Sequence, residues 1–491
     1  MPISRSPEYL ADILNDLRRL PKETEWVEFK HNNANPEEIG KNISALSNSA
    51  VLLDKANAWI IWGVENVTHE IVGTDFNPDS AKKGNEELEN WLLKFLKPKI
   101  NFFFYSVDIN GNRIVMLKIC PAVRHPTQFQ DVEYIRIGSY TKKLKEFPDK
   151  ARDLWRALDQ RRFEEETAAE AVNAGDVLRL LDQSSCFDLL KLPLPEQNDG
   201  ILEAMEKEKF ITRASGGKWN ILNLGAILFA KNLTDFPTLK RKAVRVIHYK
   251  DDSRNETIHE QTGTKGYARG FEGLINYITT LLPKNEVIGK AFRKDIPMFP
   301  ERSIRELVAN AIIHQDFFAT GTSPMIEMFA TRMEITNPGP PLVKVDRFLD
   351  SPPISRNEAL AAFMRRIGLC EERGSGIDKV VFLTEFYQLP APLFEVIDDQ
   401  HTRAILFSHR SWKKMDKNDR IRACYLHACL KYVGREYMTN PTLRERFGID
   451  PRNSAIVSRV IAESIAAKRI LCYDDSVGHR ARKYIPWWVR N

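Results

Sequence analysis

The stretch "RELVANAIIHQDF", Arg305 to Phe317, decides the reading of this chain. Leu307, Val308, Ala311 and Ile312 recur at helical spacing, as expected of a helix packed on a core. Glu306, Asn310 and His314 also recur every four residues and so fall on one stripe of the same helix. Left to face water, that stripe would be an unremarkable solvated edge. Read chemically, an amide oxygen is a hard ligand suited to Mg²⁺, which keeps substrate phosphates in its shell. A carboxylate one turn away is placed to activate a water.

Two downstream features strengthen the second reading. In "MEITNPGPPL" a strand runs into Asn337-Pro338-Gly339, a turn whose glycine permits close backbone approach. In "ERGSGIDKVV" the triplet Gly374-Ser375-Gly376 opens a helix, presenting free N–H groups and a positive helix end to an anion. A carboxylate–amide helix, a strand–turn and a glycine-rich helix start, in that order, describe a nucleotide site.

The order resembles the Bergerat-fold ATPases. More closely it is similar to a divergent branch carrying RE-x-x-x-N-A-x-x-H-x-D, NPG and GSGI boxes beside an N-terminal Schlafen-type AlbA domain. The resemblance covers about Glu23 to Val381. It implies ATP and Mg²⁺ as cofactors, Glu306 as the residue that activates water, and Asn310 as the Mg²⁺ ligand. It also implies Asn337 and Gly339 at adenine, Gly374, Ser375 and Gly376 at the phosphates, and His314, Asp316 and Arg356 in the same binding set. Two departures stand out. The better-studied enzymes have Asp where Asn337 stands, so an amide oxygen would read adenine. Glu358 in "SRNEAL" stands where the branch favours proline. No GxxxxGK[ST] loop is present, which excludes a P-loop helicase motor.

Toward the N-terminus, "ETEWVEFK" holds Glu23, Glu25 and Glu28, and "WGVEN" adds Glu65 at a strand end. Such carboxylates are commonly solvent-facing; clustered, they can hold Mg²⁺ or Mn²⁺ against a phosphodiester. Glu23 and Glu28 also resemble the paired glutamates of the nucleolytic Schlafens. The third acidic position of that pattern falls on Asn66, so Glu65 would have to substitute. "YIRIGSYTKK" offers Arg136, Lys142 and Lys143 as phosphate contacts.

At the other end, residues 411–491 hold 6 Lys and 11 Arg against 5 Asp and 3 Glu, a local +9 in a chain of net +6. The rest is mildly acidic, so the basic end points to a polyanion partner. "DRIRACYLHACLKYV", "NPTLRERFGI" and "DPRNSAIVSRVIAESIAAKRIL" read as three helices, and "CYDDSVGHRARKYIPW" as a two-stranded wing. This resembles a winged helix. Its expected nucleic-acid surface comprises Arg452, Asn453, Ser458 and Arg459 on the third helix, with His479, Arg480 and Arg482 in the wing.

The expected fold class is therefore a multidomain α/β (α+β) chain. Its expected parts are an AlbA-like domain (1–160), a helical and hairpin linker unit (161–233), a Bergerat-type sandwich (234–410) and a basic winged helix (411–491). Six scattered cysteines without CxxC suggest neither zinc nor disulfides and fit a reducing cytoplasm. The N-terminus lacks an apolar h-region, and no apolar run reaches the ~18 residues of a membrane span. The leading expectation is an ATP-switched, DNA-binding regulator, expected to self-associate into a homo-oligomer. The alternatives are a Schlafen-like metal-dependent RNA endonuclease gated by ATP, in antiviral defence, and a scaffold with degenerate sites.

Overall fold

A computed structural model describes residues 7–20, 24–282, 284–288, 293–370, 376–474, 476–478 and 481–490. The chain forms two compact units, Met1–Arg162 and Phe163–Asn491.

In the first unit, "VEFK" and "AWIIW" become β1 (Val27–Lys30) and β2 (Ala58–Trp62), paired in parallel with Glu28 opposite Ile60. Parallel neighbours need a crossover, supplied by α2 (Pro36–Leu52), which follows α1 (Pro7–Arg18) in the chain. Asn35 caps α2 by accepting from the N–H groups of Glu37 and Glu38, with Pro36 at the first helical position. The four-stranded sheet is completed by β3 (Phe102–Ile109) and β4 (Asn112–Ile119) in the order β1-β2-β4-β3.

Every residue of β2 is buried because helices cover both faces. Ile60 and Trp62 pack with Ile39, Ile43 and Leu46 of α2. Trp59 and Ile61 pack with Leu10, Leu14 and Leu17 of α1. The odd polar run "SALSNS" of α2 is explained by a neighbouring hairpin, β5 (Val132–Ile137) and β6 (Tyr140–Lys143). Asn48 donates to Thr127 O (2.9 Å) and Tyr134 O (2.8 Å), and Ser49 accepts from Arg136 N (3.0 Å). Buried polar side chains here serve strand and loop backbone that has no ladder partner.

The second unit begins with a small three-stranded sheet of Thr167–Val172, Trp219–Leu222 and Ile211–Arg213, turned through Gly216 and Gly217, both at positive φ. Its apolar residues share one core with the following sheet; Phe229 meets Phe363 edge to face at 5.6 Å.

That following sheet has six strands: β7 (Arg245–Tyr249), β8 (Thr257–Thr262), β9 (Met325–Met328), β10 (Arg332–Pro338), β11 (Leu393–Ile397) and β12 (His401–Phe407). Their order is β8-β7-β9-β10-β12-β11, with β7 and β9 parallel and the other pairs antiparallel. Val246, Ile326, Met328, Met333 and Ile335 alternate onto one face, covered by α3 (Tyr267–Leu281), α4 (Glu301–His314), α5 (Glu358–Arg366) and α6 (Gly376–Phe386). Glu327 and Glu334 point to the other face, where Arg254, Arg332 and Arg403 pair with them. The mixed α/β class expected from the sequence is the one observed.

The basic end folds as α7 (Lys417–Val433), α8 (Asn440–Phe447) and α9 (Ser454–Ala466), then an antiparallel ribbon of β13 (Ile470–Cys472) and β14 (Tyr484–Pro486). Thr439 forms a capping box with Thr442, and Gly448 ends α8 in the left-handed region at φ 60°. No helix of the described residues is long and apolar enough to cross a membrane.

Candidate functional site

The apolar side of α4, including Ile304, Val308 and Ile312, is buried against the sheet core. That rotation turns the Glu306–Asn310–His314 stripe sideways, half-buried, into the wall of a cavity of about 650 Å³. The end of β10 contributes Asn337, the segment before α5 contributes Arg356, and the start of α6 contributes Gly376. Residues spread over seventy positions thus share one chamber.

Gly376 approaches Glu306 so closely that a Cβ there would lie 2.4 Å from Glu306 Oε2. Asn337 is buried, and its Nδ2 donates to Pro338 O at 3.1 Å, which leaves Oδ1 as its remaining acceptor. Arg356 is held by two carbonyls, His314 O (Nε, 3.1 Å) and Pro340 O (Nη2, 2.6 Å). Burial, aided by the Arg356 charge, lowers the His314 pKa to about 4, so the imidazole is neutral near pH 7. Burial raises Asp378, on the first turn of α6, to about 6.

Asp316 and Gly339 are not on the cavity wall; they build the turn behind it. Asp316 N donates to Pro338 O at 2.8 Å, its Oδ1 accepts from Phe318 N, and a Cβ on Gly339 would sit 3.0 Å from Asp316 Cβ. Gly339, at φ +98°, has the backbone conformation that this turn requires. Gly374 and Ser375 lie outside the described residues. The sequence reading missed Arg365, Phe348 and Phe394, which also line the chamber. Arg365 carries a recoverable signal, since it stands on the last turn of an amphipathic helix leading into the glycine-rich segment.

In the first unit, Glu23 lies outside the described residues. Glu28 is buried and ion-paired with Arg136 (2.6 Å) and Lys30 (3.1 Å). Arg136 is only 2% exposed, so the expected phosphate contact is instead the internal counter-ion of Glu28. Glu65 is hydrogen-bonded within its own turn. Its carboxylate accepts from Val67 N and Thr68 N (2.7 Å each), and those backbone donors hold its pKa below the usual range. Among the described residues no group of three His, Cys, Asp or Glu is placed to hold a metal ion. Lys142 and Lys143 are exposed as expected, beside the exposed ring of Tyr140.

On the basic end, Arg452, Asn453, Ser458 and Arg459 are exposed on or just before α9. Arg452 pairs with Asp450 at 3.0 Å. Arg482, just before β14, is half-buried, and His479 and Arg480 lie outside the described residues.

Residues 321–406 match the family described as "Putative ATP-dependent DNA helicase recG C-terminal", and residues 23–145 match the family described as "Schlafen, AlbA_2". The chain carries a Schlafen AlbA_2 domain followed by a recG-type HATPase domain. The first match starts after α4, so only the fold brings Glu306 and Asn310 to that domain. Among solved structures, the DIP2311 protein from Corynebacterium diphtheriae is 13% identical over 98% of this chain and 99% of its own, with a TM-score of 0.38. The N-terminal domain of a RecG-related protein from Nitrosomonas europaea is 17% identical over 24% of this chain and 74% of its own, with a TM-score of 0.18. No curated protein matches the chain.

Proposed function

We propose that this protein binds Mg²⁺·ATP in the α4 chamber and nucleic acid through its two ends, with ATP controlling the nucleic-acid-binding state as in a DNA-binding regulator. One observation carries the proposal: Glu306, Asn310, Asn337 and Gly376 converge on a single cavity large enough for a nucleotide. The donor set fits the ligand. Asn310 supplies a hard oxygen for Mg²⁺, Asn337 Oδ1 can accept from the adenine amino group, and Gly376 brings the start of α6, a positive helix end, onto the cavity wall beside Glu306. Glu306 is the group placed to orient and deprotonate water. Bound Mg²⁺ would neutralise phosphate charge.

The three helices and ribbon of the basic end read as a winged helix, with α9 facing DNA, and the Lys142–Lys143 edge of the first unit as a second phosphate-binding surface. For the nuclease alternative, the ion pairing of Glu28 with Arg136 and Lys30 supports a binding role over a cleaving one. Calorimetry tests the nucleotide reading. Mg²⁺·ATP should bind the parent chain, Asn310→Ala should abolish the Mg²⁺-dependent part, and Glu306→Ala should retain binding without turnover. Undiminished Mg²⁺·ATP affinity in Asn310→Ala would remove this reading.

A further inference from the structure

The segment between β10 and α5 forms one wall of the chamber and is at the same time fastened to the basic end. Phe348 faces the cavity, where its ring meets Phe394 edge to face at 5.3 Å. Its neighbours turn the opposite way. Leu349 is buried in the same apolar cluster as Tyr425, Leu426 and Ile461 of α7 and α9. Asp346 O accepts from Tyr425 Oη, and the Asp346 carboxylate pairs with Arg469, just after α9, at 2.8 Å. The Arg347 guanidinium lies 4.6 Å from the ring centroid of Trp488, whose Nε1 donates to Tyr425 Oη at 3.2 Å. A second link runs along α6: Gly376 abuts Glu306 at one end, and near the other Glu385 meets His427 of α7 (3.0 Å) and Arg446 of α8 (3.5 Å).

We infer that the 340–356 segment is a lid clamped by the basic domain, so that occupancy of the chamber and of the nucleic-acid surface are coupled in both directions. The inference rests on the nucleotide reading and adds the device that would transmit it. Pressing on Phe348 from inside the chamber moves a backbone whose adjacent residues are embedded in the other domain, and packed cores respond as bodies, not as soft springs. Any shift of α7 and α9 on a nucleic acid is carried back to the lid by the same contacts, because binding couplings are reciprocal. The clamp also holds the chamber open in the absence of ligand, so releasing it adds the cost of ordering the lid to nucleotide binding.

The test uses the full chain carrying Tyr425→Phe with Arg469→Ala, which removes both fastenings of Asp346 and leaves Leu349 and the Arg347–Trp488 contact in place. Backbone hydrogen exchange should quicken in residues 340–356 and stay unchanged in α4. ATP affinity should fall by about fivefold, at the low end of typical couplings. Duplex DNA should change ATP affinity in the parent chain and no longer do so in the variant. The charge swap Asp346→Arg with Arg469→Asp should restore lid protection. Equal lid exchange in parent and variant, or equal ATP affinity with the DNA effect intact, overturns the inference. If the parent chain binds no ATP, the nucleotide reading itself fails, and the exchange comparison alone then decides whether the clamp exists.

Discussion

Replacing Gly376 by alanine adds one carbon on the chamber wall, directly against Glu306. That carbon would lie 2.4 Å from Glu306 Oε2, whereas unstrained contacts begin near 3.5 Å, so the carboxylate must retreat by about 1 Å. The backbone itself raises no objection, since Gly376 is not among the glycines at positive φ. Glu306 is half-buried on a flexible stem, and an off-rotamer adjustment costs about 1 kcal/mol, partly offset by the better helix propensity of alanine. Stability should therefore change by no more than about 1 kcal/mol. Catalysis is less forgiving, because a misplacement of about 1 Å can cost on the order of 100-fold in rate. The expected result is a Tm close to that of the parent, ATP still bound, and phosphate release reduced by about two orders of magnitude. Calorimetry, thermal denaturation and a phosphate-release assay on the same preparation would show it. Parent-like turnover in a folded Gly376→Ala protein would refute the claim that Glu306, at this position, is the water-activating group.

Glu28→Ala should destabilise the first unit by about 3 kcal/mol, because it removes the carboxylate that faces the buried Arg136 charge at 2.6 Å; an unchanged unfolding transition for that unit would disprove the ion-pair role. Arg365→Ala should weaken ATP binding more than adenosine binding if that guanidinium reads phosphate, which paired calorimetric titrations would reveal. The Asp378 pKa is raised to about 6 by burial, so the folded state holds a proton that the unfolded state releases near the ordinary aspartate value of 3.8. Its contribution to stability is greatest at the acid end and declines as pH climbs through 6. Asp378→Asn should accordingly raise Tm above pH 6 and leave it nearly unchanged near pH 4; the reverse pattern in denaturation scans would contradict the burial argument.

Periodicity and punctuation were enough to establish the elements. The apolar stripe of Arg305–Phe317, the all-buried "AWIIW" and the capped, glycine-ended helices of the basic end are local signals, since helices and strands are set by residues a few positions apart. The chemical types at the chamber were equally legible: a carboxylate, an amide and a glycine-opened helix at recognisable spacings. What no local pattern contains is which way each side chain finally points. Arg136 and Glu28 are separated by more than a hundred residues, and only the approach of β5 to β1 turns a presumed phosphate contact and a presumed metal ligand into each other's counter-ion. Asp316 and Gly339 lie in recognisable motifs, but that they meet in one turn is set by the chain doubling back through Pro338 O. The lid is the plainest case. "VDRFLDS" has no period and no motif, yet Phe348 enters the chamber while Leu349 enters the core of the basic domain. Burial of apolar surface is non-directional, so the sequence can require that both side chains be covered, but only the packed tertiary structure decides by what.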